Sequence, residues 1–259
     1  MSSNFFAGFD CKLYPGDTVM TRIIQNTNLR WCGFYLAPAP FHKDTSWMTK
    51  HAFLQGLGWG FGPLYVGQEV SGKVTAAQGI LDAHDAASLA NKAGFAKESI
   101  IFLDIEQTGP PHAATLAYYG AWVAELVANT SYSPGVYCSH LDVAQALFNA
   151  DSRPVFWVWN LSDFTCDPTK PGHIPRTPPF PTPNPKSSGL SFAQIWQLAQ
   201  GSQCGINAGG SSLTPVDFDS SVASDPSNPA TYPGHGTGPT GSTLHTPQKV
   251  DVPLDRDTS

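Results

Sequence analysis

The chain has little charge. Only 13% of its 259 residues are Asp, Glu, Lys or Arg, about half the usual share. Its surface must lean on Ser, Thr, Asn, Gly and Pro, which suits a protein outside the cytosol or one that faces glycans. Positive charge is scarcest: 14 Lys and Arg stand against 20 Asp and Glu, for a net charge of -6, and no Lys/Arg cluster occurs. A nucleic-acid groove and a patch for anionic membranes are therefore not expected. No apolar run reaches about 18 residues, so no membrane span is expected. The opening "MSSNFFAGFD" lacks a basic n-region and a long h-region, so no secretory signal peptide is expected in this chain. Export would then use a signal removed beforehand or another route, with cytoplasmic storage before export left open. The five cysteines (Cys11, Cys32, Cys138, Cys166 and Cys204) form no CxxC and no Cys/His zinc spacing, so no metal site is expected. The first three end or sit in predicted strands and suit small buried apolar roles. Cys166 and Cys204 lie in loop-like segments and are free to pair in an oxidising compartment.

What is present is alternation. Short β-rich runs at 5–10, 31–37, 60–67, 99–107, 134–139 and 154–161 are separated by helical stretches, the clearest being 75–94 and 112–130. Asp17 is a plausible N-cap for the first helix. Residues 162–190 are proline-rich and read as one long loop, since proline stops helices and cannot donate to a ladder. A seventh strand follows at 191–200 and an eighth at 214–221. From 224 to 259 the chain is rich in Pro, Gly, Ser and Thr and reads as a tail on a domain spanning 1–223. Eight strands in strand–helix alternation predict an α/β fold, a (β/α)8 TIM-type barrel with its last helices short or missing. A doubly wound sheet would more often carry GxGxxG after its first strand, and none is there. No cofactor is expected.

Barrel sites are built at the C-terminal strand ends. There the first strand carries Asp10, the fourth Asp104 and Glu106, and the fifth Tyr137. The sixth carries Trp157, Trp159 and Asn160, the seventh Trp196 and Gln197, and the eighth Asp217 and Asp219. Residues two apart on a strand share a face, so Asp104 and Glu106 point the same way. Gathered carboxylates repel one another, which keeps one acid protonated beside an ionised one. Aromatic rings beside such acids suit a sugar site. Plainer roles compete: Asp10 as a helix cap, Asp217 and Asp219 as partners of a water or an Arg, Trp157 and Trp159 as core. His84, His112 and His140 are expected to face solvent or cap helices.

The ordered set "GFD", "FLDIEQ", "GVYCS", "FWVWN", "IWQLAQ" and "VDFDSS" resembles the glycoside-hydrolase-like TIM-barrel family known as domain of unknown function 1906. That family is in turn similar to the family 25 muramidases. The resemblance spans residues 5–222. It implies a glycan cleft with Glu106 as proton donor, Asp104 as its assistant, Asp10 on the first strand and either Asp217 or Asp219 on the eighth. Tyr137, Trp157, Trp159, Asn160, Gln197, Asp217 and Asp219 are the expected substrate-binding residues. The implied partner is peptidoglycan or a related amino-sugar polymer, and the implied place of action is the cell envelope. A non-catalytic glycan-binding barrel is the alternative. The sixth strand and the long loop after it depart from the muramidase pattern.

Overall fold

A computed structural model describes residues 5–69, 72–107, 109–207 and 213–233. Seven strands are β1 (Phe6–Asp10), β2 (Leu29–Tyr35), β3 (Gly60–Val66), β4 (Ile100–Ile105), β5 (Ser133–Cys138), β6 (Val155–Trp159) and β7 (Ile195–Ala199). Helices α1 (Asp17–Asn26), α2 (His51–Gly56), α3 (Ala76–Ala93), α4 (Ala113–Asn129) and α5 (Leu141–Ala150) lie between the first six. A two-stranded hairpin, β8 (Gly205–Ile206) and β9 (Thr214–Pro215), precedes β10 (Asp217–Ser221). The barrel closes in the order β1-β10-β7-β6-β5-β4-β3-β2.

The expected eight-stranded α/β barrel is present, with one strand reversed. β10 pairs antiparallel with both β1 and β7, whereas the other neighbours are parallel. A parallel neighbour needs a crossover that carries the chain back to the barrel's lower end, usually through a helix. Between β7 and β10 the described residues hold only the small hairpin. The chain therefore enters β10 at the upper end and runs downward.

The interior is aromatic. Trp157 lies edge-on to Trp31, Phe102 and Tyr137, with ring centroids 5.2, 5.7 and 5.5 Å away. Such rings need glycine opposite them: a Cβ on Gly8 would fall 2.1 Å from the Trp31 ring.

The proline-rich segment takes the place of missing helices. Phe180 is buried and packs on Phe218 of β10, centroids 4.9 Å apart. Asn28 holds it at both ends, donating to the Phe180 carbonyl and accepting from its N–H, each at 2.8 Å. Ser220 donates to the Pro183 carbonyl at 2.7 Å. This strap covers the outer face of the reversed strand. Cys166 and Cys204 are joined in a disulfide that ties it to the loop after β7.

Three local expectations are corrected. Gly16, not Asp17, is the N-cap of α1; Asp17 is drawn off by the Tyr14 hydroxyl at 2.7 Å and by Lys50. The seventh strand begins at Ile195 rather than 191. The chain also keeps to the barrel beyond 223. Ser227 accepts from the Ile100 N–H at 2.8 Å, Asp225 accepts from the Phe61 N–H at 3.0 Å, and Tyr232 is buried with Trp31 and Ile100. The rest of the expected tail, 234–259, lies outside the described residues.

Candidate active site

Asp10, Tyr35, Leu64, Asp104, Glu106, Tyr137, Trp157, Gln197, Gln200 and Asp217 line one cavity of about 50 Å³ at the upper end of the barrel. Alternation puts them there. Asp104 continues the inward series Ile100–Phe102 on β4, and its register partner on β5 is Tyr137. Glu106 stands one residue beyond the strand and is exposed. On β1, Asp10 pairs in register with Asp217, and Gly33 leaves it room, since a Cβ there would meet the Asp10 Cβ at 2.5 Å.

Strand direction sets depth. On β4 the residue two positions on, Glu106, lies higher. On the reversed β10 it lies lower, so Asp219 sits below Asp217 and does not line the cavity. It is 1% exposed and accepts from the Trp157 indole N–H at 2.9 Å. Trp157 is itself fully buried. It is the floor of the cavity and a donor to Asp219, not a ring face open to a sugar. Trp159 is half-buried at the rim beside His140, centroids 5.3 Å apart. Asn160 is consumed by its loop: it donates to the Ser188 carbonyl at 2.7 Å and accepts from the Ser162 N–H at 3.1 Å. Gln197 lines the cavity and donates to Gln200 at 3.1 Å.

Burial and mutual repulsion hold these acids to their protons. Asp10 is pushed up to about 8 by burial and the Asp217 charge, against the pull of the Tyr35 hydroxyl, which donates to it at 2.8 Å. Asp217 is pushed up to about 6 by burial and by Glu106, while the Gly201 N–H and Gln197 hold it down. Asp104 is raised well above the carboxylate range by burial, then by Glu106 and Asp10. Asp219 is raised by burial, Asp10 and Asp217. One oxygen each of Asp10 and Asp219 is buried without a donor. Two such buried carboxylates are compatible when the pair shares a proton, and burial and mutual repulsion raise both. Asp104 Oδ1 is likewise buried and unmatched.

Tyr35 and Gln200 belong to the site and escaped the sequence analysis. Tyr35 follows Trp31 and Gly33 in the inward series of β2, a period-two signal that points to it. Gln200 follows β7 and carries no comparable signal. His112 and His140 occupy the N-cap positions of α4 and α5 without a side-chain capping bond, and His84 is exposed and paired with Glu125 at 2.7 Å. Among the described residues no three His, Cys, Asp or Glu side chains converge as metal ligands, and no helix is long and apolar enough to cross a membrane. A larger cavity, about 650 Å³, opens at the other end of the barrel between His51, Lys97 and Asn228, away from the acids.

The chain is a closed α/β barrel with acids gathered at one end of its strands. The chain belongs to the family described as Rv2525c-like, glycoside hydrolase-like domain, which it matches over residues 23–178. No curated protein sequence matches it. Its fold is similar to that of an uncharacterized B. stearothermophilus protein (TM-score 0.57, 20% identity, covering 83% of this chain and 94% of that one). It is also similar to the Tat-secreted protein Rv2525c of Mycobacterium tuberculosis, solved with L-tartrate (0.53, 15%, 84% and 95%). A third is a muramidase from Acremonium alcalophilum (0.52, 17%, 83% and 92%). At these identities the likeness concerns the fold.

Proposed function

We propose that the protein is a glycoside hydrolase of the cell envelope that cleaves peptidoglycan or a related amino-sugar polymer. One observation carries this: Glu106 is exposed at the mouth of a cavity whose inner acids are buried and proton-retaining. An acid reached from solvent can meet a glycosidic oxygen, and the acids beneath it stabilise or orient what the cleavage leaves. Glu106 takes up a proton and then gives it to the leaving oxygen. Asp104, with Oδ1 unmatched, orients a water or the substrate's acetamido group. Asp10 and Asp217 complete the acidic floor, and Tyr137 and Gln197 position the sugar. The muramidase fold and the secreted Rv2525c agree with a wall substrate and an exported location.

The size of the acid cavity favours a second reading, a non-catalytic glycan-binding barrel. About 50 Å³ admits one substituent of a sugar, not its ring. Glu106→Gln separates the two. For a hydrolase the variant binds peptidoglycan fragments as wild type does and releases no new reducing ends, with its circular dichroism unchanged. Equal release from variant and wild type would remove Glu106 from the chemistry.

A further inference from the structure

A second cavity of about 300 Å³ adjoins the acids, and Glu106 lines both. It lies between the loop after β3 and the first turn of α4. Val74, Ile105 and Tyr118 give it an apolar side, and Gln68 and Gln107 border it with amides. Glu69 stands in its wall facing Glu106, whose charge, after burial, raises the Glu69 carboxyl. Among the described residues no Lys or Arg lines it; His112 borders it, and the charge of Lys12 acts on Glu69 against that of Glu106.

The loop carrying Glu69 is anchored. The Tyr118 hydroxyl donates to the buried Asp82 at 2.7 Å and accepts from the Gln68 N–H at 3.3 Å. Gly67 fits against that hydroxyl so closely that a Cβ would lie 2.7 Å from it. Glu69 is thus held one residue from a fixed point.

We propose that this cavity seats an uncharged N-acylated sugar unit next to the scissile bond, and that Glu69 is a specificity residue that excludes anionic units. The inference rests on the glycosidase reading of the neighbouring acids and names the sugar class their substrate presents on this side. The apolar wall suits the methyl and ring faces of an acetamido sugar, and the amides suit its polar edge. Two carboxylates with no Lys or Arg in the described lining repel a uronate or a carboxyl-bearing substituent.

The test is equilibrium binding, read by titration calorimetry on the full chain, of fully N-acetylated chitotetraose and of its carboxymethylated counterpart. Wild type is expected to prefer the neutral oligomer by about tenfold, the size of one close like-charge contact. Glu69→Gln lowers that ratio, and Glu69→Gln with Glu106→Gln brings it close to one. Ala114→Trp, which fills the cavity from an exposed position on the first turn of α4, weakens the neutral oligomer at unchanged circular dichroism. Equal affinity of wild type for the two oligomers, binding of neither, a ratio unmoved by Glu69→Gln, or full affinity in a folded Ala114→Trp would each overturn the proposal. Binding is read without turnover, so a wild type that discriminates but never cleaves counts against the hydrolase reading alone.

Discussion

Asp104 and Glu106 look alike in sequence, two acids crowning one apolar strand, and the fold gives them different surroundings. Asp104 is 8% exposed and proton-retaining; Glu106, one residue past the strand, meets solvent. Their pairing was legible because strand alternation is a local rule. Which residues they meet is set by neighbouring strands, so Tyr35 and Gln200 were not foreseen. The role of Trp157 was also hidden: two tryptophans two apart share a face, but only depth in the barrel makes one a floor and the other a rim residue. The acids have a consequence for stability. An acid whose pKa rises on folding contributes fully below its unfolded value, 3.8 for Asp, and loses that contribution as pH climbs through its folded value, about 8 for Asp10. Burial lowers His42 and His51, so below about 6.5 their unfolded forms take up protons and oppose the trend. Between pH 6.5 and 8 the acids act alone. The melting temperature is expected to fall across that window, and Asp10→Asn to flatten the fall; thermal scans in matched buffers at constant ionic strength check both.

The elements show where pattern reading works and where it stops. Strands β1 to β6 and helices α3 to α5 follow from apolar runs and helical stretches, and in the structure α3 starts after a Thr75 N-cap and closes on Gly94. The direction of β10 could not be read from its residues, because five inward-alternating residues look the same run up or down. It was legible only from the absence of a helix before it. Prolines 178 to 185 correctly marked a loop, but proline says nothing of Phe180 and Ile174, whose burial makes that loop a strap. The disulfide closes a span of 38 residues across it. By chain entropy such a link is worth about 4 kcal/mol. Cys166→Ser with Cys204→Ser, or treatment with reductant, is expected to lower the melting temperature while far-ultraviolet dichroism below the transition stays the same.

The molecule as a whole is a barrel closed at its base by its own C-terminal segment. Composition marked residues after 223 as having little to bury, yet Asp225, Ser227 and Tyr232 bind β3, β4 and the inner core; three useful residues in ten are too few to register in composition. A chain ending at 223 is expected to unfold at lower denaturant than one ending at 233, by a margin that equilibrium urea titration resolves. At the opposite end the same barrel gathers acids from β1, β4 and β10, and the proposed hydrolysis belongs to that end. The most direct test digests purified peptidoglycan in heavy-oxygen water and reads the fragments by mass spectrometry. The account predicts fragments with one heavy oxygen at each new reducing end from wild type and none from Glu106→Gln. Intact glycan from wild type, or labelled fragments in equal yield from the variant, would contradict it.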